Sequence, residues 1–198
     1  KENKINTKYI ELNNEYQTTC KQRVYCGSVQ QSRLDFEVFL SDWFPHKKID
    51  YSNYDLIILS DYNKGIFNRN WFSTKNINVI LDPKIYNSHI FKHSNIITPN
   101  IKELEDITNT KIEDTLSLEN ASRKLIEQFK LDHVVVTKGE NGITIISDNE
   151  PIKNINAHKV SNPDVTGAGD TVVAALGSVY AKTGDIEKAV KIANAAAA

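Results

Sequence analysis

Four short apolar runs, each closed by polar residues, constrain this chain more than any other feature. Leu56-Ile57-Ile58-Leu59-Ser60, Val79-Ile80-Leu81-Asp82, Asn95-Ile96-Ile97-Thr98 and His133-Val134-Val135-Val136-Thr137 carry almost no internal polar residue. A strand covered on only one face alternates apolar and polar residues, whereas a strand buried on both faces reads as a continuous apolar run. Helical segments are expected between the runs. Asn68–Lys75 predicts a short one, and Leu116–Phe129 places Leu118, Ala121, Leu125 and Phe129 on one helical face. Alternating strand and helix imply an α/β fold with a mainly parallel central sheet flanked by helices. In such sheets ligands bind beyond the carboxyl ends of the strands. Those ends are here Ser60-Asp61, Asp82-Pro83-Lys84, Thr98-Pro99-Asn100 and Thr137-Lys138-Gly139.

The first part of the chain reads differently. Tyr9–Leu12, Lys21–Tyr25 and Ser32–Phe36 are short candidate strands separated by polar stretches. The formal net charge of −1 over 198 residues gives no electrostatic reason to expect a nucleic-acid partner. No apolar run is long enough to span a bilayer, and no leader-like start precedes the first element, so a cytoplasmic location is expected. Cys20 and Cys26 make neither a disulfide framework nor a metal set. His89 and His93 could share a helix face, but no Glu follows His89 as a zinc-protease motif requires.

The chemistry concentrates in Asp164-Val165-Thr166-Gly167-Ala168-Gly169-Asp170, which opens a helix of small residues. Gly167 and Gly169 let a ligand approach the backbone, and the first helical turn offers N–H groups at the positive end of the dipole. That combination suits a phosphate. Asp170 is an unusual occupant of an anion site, because it repels phosphate, but it can take a proton from an attacking hydroxyl. No Walker-type Gly-x-x-x-x-Gly-Lys-Ser/Thr is present.

This stretch resembles the second signature of the ribokinase-like (PfkB) sugar kinases, whose core is Asp-Thr-Gly-Ala-Gly-Asp; here Val165 adds a residue. Further segments fall in that family's order: Leu59–Gly65, Leu81–Lys84, Thr98–Glu103, Val136–Gly142 and Ala193–Ala197, with Lys21–Val24, Gln30-Gln31 and Arg33–Asp35 before them. As a set they look closest to the D-glycero-β-D-manno-heptose 7-phosphate kinases, which act in making the heptose of the lipopolysaccharide inner core. The resemblance implies a ribokinase-like fold with part of a small β lid, and transfer of the ATP γ-phosphate to the anomeric hydroxyl of a sugar phosphate. Other ribokinase-like kinases, acting on a pentose, hexose or nucleoside, remain an alternative, as does a binding module that kept the fold and lost turnover.

The resemblance also assigns residues. Asp170 is the expected base, with the N–H groups of Gly167, Ala168 and Gly169 as an anion hole. Asn100 and Glu103 match an Asn-x-x-Glu motif that helps hold Mg²⁺ and phosphates through water, although Asn followed three residues later by Glu also reads as a capping box. Thr137, Lys138 and Gly139 are expected to border the nucleotide, Gly142 to shape the turn and Asn194 to lie near the adenine. Asp61, Lys64 and Lys84, at strand ends, are candidates for the sugar or phosphate side, since a phosphorylated sugar needs a cation.

Family members carry an N-terminal region with the first sheet strands and much of the sugar pocket. The chain starts at Lys1, contains no methionine and stops inside an Ala-rich helical pattern. It is therefore expected to be the C-terminal part of one kinase domain, with lid and edge strands at about 9–36 and a nucleotide-binding core at about 55–198. A homodimer through the lid is expected of the whole protein.

Overall fold

The computed structural model describes residues 6–7, 10, 17–27, 29–40, 49–67, 72–74, 76–158 and 167–198. The chain divides into two compact units, one of residues 1–50 and 64–71, the other of residues 51–63 and 72–198.

In the first unit, β1 (Cys20–Cys26) and β2 (Val29–Phe36) form an antiparallel hairpin with a register shift between Val24 and Tyr25. Every residue of both strands is exposed. Polar contacts tie the ribbon down. The Arg33 guanidinium donates twice to Asp35, at 2.8 and 2.7 Å, and Lys64 pairs with Glu37. The two cysteines stand free at opposite ends of β1. Of the strand expected at Tyr9–Leu12, only Ile10 is among the described residues, and it is not in a strand.

The second unit is built on one sheet of six strands: β3 (Leu56–Asp61), β4 (Asn78–Pro83), β5 (Ile96–Ile97), β6 (His133–Thr137), β7 (Ile143–Ser147) and β8 (Lys153–Ile155), in that spatial order. The first four are parallel; β7 runs antiparallel to β6, and β8 antiparallel to β7, back in the direction of the first four. The sheet is thus mixed, and mostly parallel. Among the described residues five helices accompany it: α1 (Ser88–Phe91), α2 (Ile101–Thr108), α3 (Thr115–Phe129), α4 (Ala168–Thr183) and α5 (Ile186–Ala196). The short helix expected at Asn68–Lys75 falls partly outside the described residues, and residues 72–74 are not helical. His89 lies in α1 and His93 beyond its end, so the two do not share a helix, although their rings stack edge-on with centroids 5.2 Å apart.

The apolar runs of β4, β5 and β6 are buried as their sequence demands, whereas in β3 Leu59 is the one buried apolar residue and Ile58 is 41% exposed. Ile80, Ile96 and Val135 pack with Val172, Val173 and Leu176 of α4 and Val190 and Ala193 of α5. Their neighbours Val79, Leu81, Ile97, Val134 and Val136 are equally buried and alternate to the other face, where α2 and α3 lie against β6 and α3 reaches β7. Fully burying one such side chain stabilises by about 1.5–3 kcal/mol, so two-sided burial makes these strands the anchor of the fold.

Local chemistry sets the helix ends. Asp114 caps α3 by accepting from Ser117 N at 2.7 Å, and Asp185 caps α5 by accepting from Lys188 N at 3.0 Å. Among the described residues no helix is long and apolar enough to cross a membrane.

Candidate active site

The carboxyl ends of the four parallel strands meet at one cavity of about 190 Å³. Tyr62 follows β3, Asp82 and Lys84 close β4, Thr98 and Asn100 follow β5, and Thr137 ends β6; all six line it. Backbone bonds hold these ends in line. Thr98 N donates to Leu81 O and Thr137 N to Pro99 O, each at 3.0 Å. The chain beyond two-residue β5 therefore stays in step with its neighbours. The remaining wall comes from Glu103 of α2 and from Gly167, Gly169, Asp170 and Val173 at the start of α4.

Gly167 sits at φ +76°, the left-handed region that other residues enter at a cost. This turn starts α4 directly at the cavity: Thr171 N closes the first helical bond onto Gly167 O at 2.9 Å. The N–H groups before it have no intrahelical acceptor. An added Cβ at Gly167 or Gly169 would meet no other atom within 4 Å, so both open onto free space. The stretch is thus an accessible helix N-terminus able to receive an anion.

Asp170 lies in this first turn, and its Oδ1 accepts from Tyr62 Oη at 2.8 Å. That hydrogen bond, helped by burial and the Asp170 charge, pushes the Tyr62 phenol above its ordinary pKa. Asp82 is held in a confined position, where burial lifts its carboxyl to about 6 against the pull of Lys84. Lys84 donates to Glu103 Oε1 at 2.6 Å. Burial works against the Lys84 charge, but Glu103 and Asp82 outweigh it and the net effect is upward.

Asn100 and Glu103 do form the capping box. Asn100 Oδ1 accepts from Glu103 N at 2.9 Å, and Glu103 Oε2 accepts from Asn100 N at 2.8 Å. Both Glu103 oxygens are therefore already engaged, one by the helix cap and one by Lys84.

Of the residues singled out from the sequence, Lys84, Asn100, Glu103, Thr137, Gly167, Gly169 and Asp170 converge on the cavity. Ala168 opens α4 without being part of the lining. Asp61 is buried at the end of β3, where its Oδ1 accepts from Asn63 N at 2.8 Å and burial raises its pKa. Lys64 belongs to the other unit, with Glu37 as its partner. Lys138 donates to Asn154 Oδ1 at 3.1 Å, and burial lowers its pKa. Gly139 begins a short 3₁₀ turn, which Gly142 ends against β8. The buried Asn194 donates to Asn156 O at 2.8 Å.

Tyr62, Asp82 and Thr98 line the cavity without having been singled out. Their one sequence signal was position, directly at the ends of buried strands.

Comparison with known proteins agrees with this geometry. The family described as pfkB family carbohydrate kinase matches residues 1–198. The Bifunctional protein HldE of Campylobacter concisus is 40% identical over 149 residues, covering 72% of this chain and 31% of that protein. The protein of the same name from Aliarcobacter butzleri is 36% identical over 208 residues, covering 98% of this chain and 43% of its own length. The chain thus spans less than half the length of these relatives. Among solved structures, a ribokinase from Thermotoga maritima superposes with a TM-score of 0.63 at 29% identity, over 76% of this chain and 52% of that one. Arabidopsis thaliana ribokinase, solved with ribose and ATP, gives 0.65 at 23% identity over 73% and 49%, a likeness of fold.

Proposed function

Because the chain belongs to the pfkB family of carbohydrate kinases, we propose that its protein transfers the terminal phosphate of ATP to the anomeric hydroxyl of a phosphorylated sugar in the cytoplasm. The observation that carries this reading is the pairing of an open helix N-terminus with a carboxylate in its first turn, Asp170, at the meeting point of the parallel strand ends. An anion site alone would serve a binding protein. A base beside it serves a hydroxyl that must lose its proton to attack.

In this reading Asp170 accepts the proton of the acceptor hydroxyl while the new O–P bond forms and the bond to the leaving ADP oxygen breaks. The N–H groups of Gly167, Ala168 and Gly169 take the charge that develops on the transferred group. Thr137, Lys138 and Gly139 border the nucleotide, and Lys84 offers the cavity's cation to phosphate oxygens.

The donor set also fits Mg²⁺. Among the described residues, Asp82, Glu103 and Asp170 put three carboxylates around the cavity against one lysine, which disfavours a bare polyphosphate. Mg²⁺ prefers hard oxygen ligands, keeps several waters and would neutralise phosphate charge. With both oxygens engaged, Glu103 would hold it through water.

The acceptor we propose is D-glycero-β-D-manno-heptose 7-phosphate, consumed in making the lipopolysaccharide core. The ordered set of motifs supports it, as does the similarity to the HldE proteins. An acceptor panel with ATP, measured as ADP release by the intact protein, tests it. The heptose phosphate should be used well above free ribose, fructose or a nucleoside; equal use of a free sugar would overturn the assignment. Asp170→Asn should lower kcat by about 10²–10⁴ while ATP still binds. A variant within a few-fold of the parent would remove Asp170 from the role of base.

A further inference from the structure

Tyr62 is the first residue after β3, and its ring is 46% exposed. Yet its hydroxyl is not left to solvent. It reaches a carboxylate 108 residues away in sequence and donates to Asp170 Oδ1 at 2.8 Å. The ring is itself held. Lys84 Nζ stands 5.8 Å from its centroid, close enough for a cation–π contact. Lys84 is fixed by Glu103 at 2.6 Å, and Glu103 by the capping box of α2. A run of ordered contacts therefore leads from the start of α2 to the Asp170 carboxylate.

We propose that Tyr62 is a positioning residue for phosphoryl transfer: its hydroxyl fixes the Asp170 carboxylate through Oδ1 and leaves Oδ2 to take the acceptor's proton. This rests on the reading of Asp170 as the base. A carboxylate in the first turn of a helix can rotate about its last bond, and only some orientations aim a lone pair at the acceptor. One strong donor on one oxygen selects the plane. Tyr62 is suited to remain that donor, since the Asp170 bond raises its own pKa and keeps its proton in place. Tyr62 is therefore no rival for the role of base. Among the described residues the other charged groups that line this cavity with Asp170 are Asp82 of β4, Lys84 after it and Glu103 of α2, and removing the Tyr62 hydroxyl leaves all three intact.

The test is a double-mutant cycle with Tyr62→Phe and Asp170→Asn in the intact protein, using ATP and whichever phosphorylated sugar the acceptor panel selects. Tyr62→Phe removes a single oxygen from a half-exposed ring, and circular dichroism checks that it folds. A hydrogen bond to a charged group corresponds to about tenfold or more in rate. The expected result is kcat lowered about tenfold with KM for ATP within about twofold. In the Asp170→Asn background the same change should cost nothing more, since residues acting as a unit are not additive. Unchanged kcat in Tyr62→Phe would overturn the proposal, as would an equal loss in both backgrounds, the mark of a purely structural role. Retained activity in Asp170→Asn alone would instead remove the base and the proposal with it, so the two failures are distinguishable.

Discussion

Gly142→Ala asks whether the turn after β6 exists for the ligand or for the sheet. Gly142 has φ +80° and ψ −142°, a region that residues with a side chain occupy only at a cost of about 1–3 kcal/mol. A Cβ built there would lie 2.0 Å from Ile155 O, 2.6 Å from Ala157 N and 2.8 Å from the Asn156 carbonyl carbon. These neighbours are backbone, so no side chain can swing aside. β8 must retreat, and its pairing of Ile143 with Ile155 goes with it. Overpacking of this kind adds about 1–3 kcal/mol, so the combined loss should be about 3 kcal/mol or more. Urea unfolding of the intact protein followed by circular dichroism measures it. A loss under about 1 kcal/mol would refute the close-approach argument. A stable variant with weakened ATP binding would show that Gly142 serves the nucleotide directly.

Two further outcomes test the cavity. Asp82 titrates near 6 when folded and near 3.8 when free, so the folded state binds more protons between those values and stability falls as pH rises through them. Asp82→Asn should therefore be more stable than the parent at pH 7.5, by about 3 kcal/mol, with the difference vanishing below pH 4; thermal melts across pH check it. Asn100→Ala removes the α2 cap and should cost about 1 kcal/mol. Because the Asn100 side chain also lines the cavity, its loss should weaken Mg–ATP binding beyond what that instability explains, as calorimetry would show.

The parallel strands were legible because burial on both faces leaves no room for polar residues in Val79–Leu81 or Val134–Val136; Ile57–Leu59 reads the same way in sequence, yet Ile58 is 41% exposed, because the run does not record that one face of β3 is left open. Their convergence was legible for the same reason, since the apolar run ends where the cavity begins. Direction was not. Ile143–Ser147 is fully buried, but an apolar run does not record whether it runs parallel or antiparallel to its neighbour. Lys64 and Lys84 look alike in sequence, both following strand ends, and only the fold separates the lysine facing Glu37 from the one facing Glu103. Tyr62 was hidden beside the charged Asp61, because nothing local announces a partner at position 170. Asn100 and Glu103 were legible twice over, as cap and as ligand pair, and the cap is what the geometry displays.

The spatial order of the six strands repeats their order along the chain. Each strand emerging from synthesis can therefore dock on the one made just before it, without waiting for distant sequence. Helix α4 breaks that rule. It comes after the last strand, yet it returns to lie over β3 and β4, and Tyr62 meets Asp170 only then. The apolar scaffold can assemble progressively, but the carboxylate and the helix N-terminus arrive last. A nascent chain that has paired β3 to β8 is therefore still without Asp170, which joins the strand ends only when α4 folds back.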